Sequence, residues 1–141
     1  MAYWLFKSEP ATWSWDMQVK KGKAGQEWDG VRNFTARNAM RAMKTGDRGF
    51  FYHSGEEKAV VGIVEVVREA HPDSTDSDGK WDCVDIAAVE KLPKPVTLAA
   101  VKADKALAGA LAGMVLVNNS RLSVQPVSEA EWKRLCTLGG L

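Results

Sequence analysis

Two cysteines and two histidines in 141 residues offer little from which to build a disulfide framework or a metal centre. Cys83 and Cys136 stand far apart and form no CxxC pair. They read as buried free thiols in a reducing compartment, the cytoplasm. No metal-ligand cluster is expected. Long apolar runs are missing too: none approaches the ~18 residues that span a bilayer. Met1 leads into a candidate strand and not into a signal peptide, so no membrane is expected as a partner. The chain has no GxSxG elbow and no P-loop. Gly22 and Gly25 sit among lysines without the phosphate-loop pattern and read as a flexible loop. His53 and Ser54 place a base beside a hydroxyl, but neighbours on a strand point to opposite faces. Asp16, Asp29, Asp47, Asp82 and Asp85 lack paired spacing. No catalytic residue and no cofactor is therefore assigned.

Charge of one sign is also scarce, with a net of +1. Its distribution is uneven. From Asp16 to Arg48 eight Lys or Arg face four Asp or Glu, whereas residues 49–141 are net acidic. One basic region lies on a nearly neutral molecule. The length is that of one domain, 1–141, and a chain of this size buries roughly 68% of its unfolded surface.

What the chain does have is a series of aromatic and β-branched runs. Tyr3–Phe6 reads as a buried strand ended near Ser8 by Pro10. Ser14 caps a short helix over Trp15–Lys21. Trp28, Asp29 and Gly30 suggest a tight turn. Asn33 is the expected N-cap of a helix Phe34–Lys44. In that helix Ala36, Ala39, Met40 and Met43 form an apolar face, with Arg37, Arg41 and Lys44 as a basic stripe beside it. Gly49–His53 and Ala59–Arg68 read as strands, with Gly62 marking a bulge or a close backbone approach. An acidic loop, residues 71–79, follows. The next strand, Trp81–Leu92, is expected to be broken by Pro93 and Pro95. Thr97 and Asp104 are candidate caps of short helices, and Met114–Val117 is a short apolar piece. Ser120–Val127 reads as a last strand, and Ser128 with Glu131 as the capping box of a last helix ended by Gly139. The order lacks regular βαβ alternation. An α+β, mainly β fold is expected: a small mixed or antiparallel sheet curled toward a barrel, with short helices outside.

Six tryptophans are many for this length, and most belong in a core. Trp28 is singled out because it lies between Gln26-Glu27 and Asp29-Gly30, outside any apolar run. An aromatic ring among Asp, Asn and Arg suits stacking on a planar ligand, worth roughly 1–3 kcal/mol per base. Asp29 can accept from an amino group of a base, and Asn33 or Asn38 can donate and accept. For Asn33 the plainer role is the helix cap. Arg32, Arg37, Arg41 and Lys44 are candidate phosphate contacts, with a solvated helix face as the plainer reading. An enzyme using His53 or Asp29 as a base, or a binder of a free nucleotide, stays open.

These stretches resemble the EVE domain. The likeness is carried by Lys7-Ser8-Glu9-Pro10, Trp28 to Asn33, Ala36-Arg37-Asn38, Phe51 to Ser54 and Ser120 to Val127. The resemblance runs from about Ala2 to Leu138. It implies a PUA-like, strongly curved β-barrel with kinship to YTH domains. It further implies a reader of modified bases, notably modified cytosine in DNA, with RNA as the other candidate. Carried over by position, Trp28 would be a cage wall, with Asp29 and Asn33 reading the base. Lys7, Ser8 and Glu9 would lie at the rim, Tyr52, His53 and Ser54 would form the floor or second wall, and Arg121 and Ser123 would close the pocket. The expected partner is nucleic acid carrying a modified base, bound by a monomer. The acidic loop at 71–79 departs from the pattern and would repel nucleic acid if it faced the groove.

Overall fold

The computed structural model describes residues 1–104, 114–119 and 121–141. Strand β1 (Tyr3–Ser8) is followed by helix α1 (Trp15–Lys20), a single 3₁₀ turn at Gly22–Ala24, and the short strand β2 (Gln26–Glu27). Helix α2 (Phe34–Ala42) leads into β3 (Arg48–His53), β4 (Ala59–Pro72) and β5 (Asp82–Thr97). Helices α3 (Leu98–Ala103) and α4 (Val115–Asn118), strand β6 (Val124–Val127) and helix α5 (Glu129–Leu138) complete it. The further helix expected after Asp104, and Ser120, lie outside the described residues.

The strands form one six-stranded sheet in the order β2-β5-β4-β3-β1-β6. The β1–β3 pair is parallel and the others are antiparallel. Among the described residues β2 and β6 end the run without pairing to each other, so as a barrel the sheet is loose. Both faces are covered. On one, Phe6, Phe51, Val64 and Ile86 pack with Trp15 of α1 and with Ala36 and Met40 of α2. On the other, Leu5, Phe50, Tyr52 and Ile63 pack with Val101, Leu116, Trp132 and Leu135 of α3 to α5. Alternation along β1 and β3 therefore feeds two cores, which is why these strands read as continuous apolar runs.

Several boundaries differ from the sequence reading. Strand β5 runs through Pro93 and Pro95 to Thr97. In the ladder with β4, Gly62 pairs with Lys91 and Val60 with Val96. The prolines thus sit in an irregularity where no donor is demanded of them. Opposite them Gly62 meets both expectations at once. The register shifts there, and a Cβ on Gly62 would lie 2.4 Å from Cζ3 of Trp15. Helix α2 stops at Ala42, because Met43 turns extended and still buries its side chain. Lys44 is therefore outside the helix. Strand β4 continues to Pro72, and β6 begins only at Val124. Gly22–Gly25 is a formed turn, with Gly25 at φ +77° against the carbonyl of Ile86.

Candidate functional site

A cavity of about 510 Å³ opens beside Trp28. Its wall comes from the end of β1 (Lys7, Ser8, Glu9), the turn after it (Thr12, Trp13), the stretch from Gln26 to Arg32, and Ser123 just before β6. These segments belong to opposite ends of the sheet. The cavity therefore occupies the seam that curvature brings together but hydrogen bonding does not close.

Local chemistry fixes each wall. The backbone N–H of Trp28 donates to the carbonyl of Val84 (2.8 Å), so Trp28 prolongs the β2 ladder and does not sit in a tight turn. The residue is only 7% exposed. Its ring stands edge-on to Phe6 (centroids 5.3 Å apart) and to Phe51 (5.7 Å). The sequence reading set Trp28 apart from the core; the structure makes it a core residue that also lines the cavity. Trp13 is the second indole of the wall. Its Nε1–H donates to Gln18 Oε1 (2.9 Å), and Gln18 Nε2 donates to the carbonyl of Ile86 (2.9 Å), which fixes the ring through buried Gln18. Ser8 Oγ donates to the carbonyl of Trp13 and ties the turn to β1.

Below Trp28, Asp73 reaches in from the acidic loop with its side chain 1% exposed. It accepts from the N–H of Gly30 (2.9 Å), from Arg32 Nη1 (3.2 Å), and from the N–H and Oγ1 of Thr75 (2.7 and 2.6 Å). Burial raises its pKa, but these donors outweigh burial and hold the carboxyl below its ordinary range. Asp76 accepts from the N–H groups of Asp78, Lys80 and Trp81. Both carboxylates are therefore engaged with the protein's own donors, not simply presented to repel a ligand. Glu27 accepts from the N–H of Ser74 (3.1 Å), chiefly for which its carboxyl lies low. Asp29 goes the other way. Burial first, then the nearby charges of Asp73 and Glu27, push it up against the pull of Arg32. Burial pulls Lys7 down.

Of the expected pocket residues, the cavity brings together Trp28, Asp29, Lys7, Ser8, Glu9 and Ser123. It also draws in Arg32, which the sequence reading assigned to phosphate. Asn33 is not in the wall: its side chain caps α2, accepting from the N–H of Ala36 (2.9 Å). Tyr52 is 2% exposed in the opposite core, where the ammonium of Lys7 lies 5.6 Å from its ring centroid. His53 faces a separate cavity of about 230 Å³ with Ser14, Trp15 and Glu57. Its Nε2 accepts from the N–H of Trp15 (3.0 Å), and its Nδ1 lies 2.7 Å from Glu57. Ser54 touches the rim only through Ser8 and Glu9. Arg121 is exposed and not part of the wall. The second wall is thus Trp13 with Thr12, not Tyr52 to Ser54. Trp13 carried the same signal as Trp28, an indole among polar neighbours.

Two of the three cations of the stripe have partners within the protein. Arg41 pairs with Asp82 (2.7 Å), and Arg37 donates to the carbonyl of Lys80 (3.1 Å). Behind the wall, Glu27, His71 and Cys83 bring donor atoms within 4.8 Å, although no such cluster was expected. Strand register explains it: His71 pairs with Cys83 across β4–β5, and Glu27 with Asp85 across β2–β5. Each of the three already has a hydrogen-bond partner. The Cys83 thiol donates to Glu27 (3.3 Å), burial pushes its pKa up, and both His71 nitrogens face oxygen acceptors.

Comparison with known proteins agrees with this fold. The EVE domain pattern matches residues 2–138. Human thymocyte nuclear protein 1 is 35% identical over 97% of this chain and 73% of its own length. The crystal structure of Atu2648 from Agrobacterium tumefaciens has a TM-score of 0.94 and 59% identity, covering 100% of this chain and 94% of that one. The structure of the human THYN1 protein in complex with 5-methylcytosine-containing DNA has a TM-score of 0.92 and 33% identity, covering 100% and 99%. A YTH domain from Zygosaccharomyces rouxii shares the fold at a TM-score of 0.60 and 16% identity, covering 99% and 87%. The chain belongs to the EVE domain family.

Proposed function

We propose that this chain is a binding module that takes a modified base of a nucleic acid, 5-methylcytosine in DNA foremost, into the cavity between Trp28 and Trp13. The observation that carries the reading is the cavity itself. It is built by the same fold that in human THYN1 was crystallised with 5-methylcytosine-containing DNA. Its volume falls within the ~300–1,000 Å³ of ordinary ligand sites. Two indoles supply stacking area. Glu27 and Asp29 supply acceptors of the kind that take the amino group of cytosine. The raised pKa of Asp29 reports burial first and the neighbouring carboxylates of Asp73 and Glu27 second, and a ligand bringing N–H donors favours its ionised form. Lys7, Ser8, Glu9 and Ser123 form the rim on this reading, and Arg32 is the cation nearest the base.

The module performs no chemistry of its own on this reading. His53 lies away from the cavity with its Nε2 lone pair given to Trp15, so it is poorly placed as a base. The free thiols Cys83 and Cys136 suit a reducing compartment, the cytoplasm among them. Among the described residues no helix is long and apolar enough to cross a membrane.

The test is a titration of oligonucleotides with cytosine, 5-methylcytosine, 5-hydroxymethylcytosine or N6-methyladenine, as DNA and as RNA, at two salt concentrations. Preference for a modified strand that persists at the higher salt is expected. Equal affinity for modified and unmodified strands sinks the reading. A modified RNA that binds above every DNA moves it to RNA.

A further inference from the structure

Just outside the cavity lies a layered group of side chains with no part in the core. Phe34, the first residue of α2, is 60% exposed although it is large and apolar. Its ring stacks on Trp81, with centroids 4.9 Å apart and planes inclined by 24°. The guanidinium of Arg37 lies 4.7 Å from the Phe34 centroid and 5.7 Å from that of Trp81. On the Trp81 ring lies Arg32, 5.6 Å from the centroid, and Arg32 also lines the cavity.

The group is held from two sides. Asn33 caps α2 and fixes the start of the helix that carries Phe34 and Arg37. The carboxylate of Asp76 holds the N–H groups of Lys80 and Trp81 (2.8 Å each), and Arg37 donates to the carbonyl of Lys80. A lone exposed apolar side chain needs no explanation. Two stacked rings carrying two guanidinium groups, preorganised by separate elements, are a different matter. A π-face flanked by cations is how proteins hold successive bases of a strand while tolerating their sequence.

We propose that Phe34 and Trp81 form a second base platform, on which the nucleotide next to the one in the cavity stacks, with Arg32 spanning the two sites. This rests on the reading of the cavity as a base site. The occupant is a neighbouring base because the platform adjoins the cavity through Arg32 and combines exposed aromatic surface with positive charge, the complement of a stacked base and its phosphate.

The experiment uses the full chain and a single-stranded DNA pentamer with one 5-methylcytosine and 2-aminopurine beside it. 5-Methylcytidine monophosphate serves as the probe of the cavity alone. Quenching of 2-aminopurine fluorescence on binding is expected. Phe34→Ala lowers pentamer affinity about 5- to 100-fold, the worth of one base–aromatic stack, and leaves the monophosphate affinity unchanged. Phe34→Leu, which keeps an apolar side chain, gives the same loss, whereas Phe34→Tyr keeps wild-type affinity; folding of each is checked by near-UV circular dichroism. Wild-type preference for the modified pentamer without quenching, and with Phe34→Ala binding it normally, overturns the platform and leaves the cavity reading intact. Self-association lost in Phe34→Ala, with pentamer binding unchanged, overturns it in favour of a second copy. Wild-type chain that binds modified and unmodified pentamers equally overturns both.

Discussion

Trp28 is the residue on which the functional reading turns, and its position makes the obvious test treacherous. Its ring is buried edge-on against Phe6 and Phe51. Truncating a buried Trp or Phe to Ala costs about 3–5 kcal/mol, and each aromatic pair adds about 0.5–1.5 kcal/mol to its area term. Against a total stability of about 5–15 kcal/mol, Trp28→Ala leaves a substantially weakened fold, and lost binding by itself would prove little. Trp28→Phe is the sharper change. It keeps a ring against both partners, removes part of the stacking surface, and is expected to cost about 1–2 kcal/mol. The quantity to measure is the ratio of affinities for 5-methylcytosine and cytosine strands. Unfolded protein scales both apparent affinities alike, so the ratio is immune to destabilisation. Urea denaturation gives the stability and fluorescence anisotropy the ratio. Loss of a whole stack would change affinity about 5- to 100-fold. Trp28→Phe is expected to reduce the ratio severalfold, and Trp28→Ala to bring it to one. A ratio unchanged in both variants means that Trp28 is only a core residue and refutes its role in reading the base.

Three further perturbations follow from the site. Asp73→Asn removes the charge that Gly30, Arg32 and Thr75 share; with Arg32 39% exposed, only about 1–3 kcal/mol is expected. Because the folded-state pKa of Asp73 is depressed, its contribution is present above the ordinary carboxylate range and is lost as pH falls through the depressed value. Wild type and Asp73→Asn should therefore differ in urea midpoint at pH 7 and converge in acid; a gap constant with pH would contradict the charge argument. For Asp29 the sign is opposite. Its raised pKa means the ionised form burdens the folded state as pH rises through it, so Asp29→Asn should unfold no more easily at pH 7 yet discriminate less. Retained discrimination would remove Asp29 from the base-reading set. Gly62→Ala drives a methyl to 2.4 Å from the Trp15 ring and should destabilise by about 1–3 kcal/mol in denaturant melts; a neutral result would show that Trp15 moves freely.

What could be read from the chain was whatever depends on neighbours three or four residues away. The caps at Ser14, Asn33 and Thr97 and the capping box of Ser128 and Glu131 are all formed where the sequence places them. Each needs only a side-chain oxygen and an N–H close along the chain. The strands were legible because aromatic and β-branched runs suit a sheet covered on both faces. The prolines of β5 misled because propensity says where a donor is missing but not whether the partner strand asks for one there.

The site was less legible because its walls are long-range. Asp73 meets Gly30 from 43 residues away, and nothing local says that a carboxylate in a run of Asp and Ser will turn inward. One error was avoidable. Tyr52 and His53 are consecutive on β3, and consecutive side chains of a strand point to opposite faces. The structure distributes them as the alternation requires: Phe51 faces Trp28 in one core, Tyr52 the other, and His53 returns to the first side beyond the cavity, against Trp15. A two-residue period applied to β3 therefore leaves the opposite wall vacant. The nearest aromatic outside an apolar run on that side of β1 is Trp13. The same argument explains why the cavity lies where it does. A curved sheet whose short edge strand β2 has only Gln26 and Glu27 to pair cannot close on β6. Trp28, the next residue, bridges the remaining seam by packing instead.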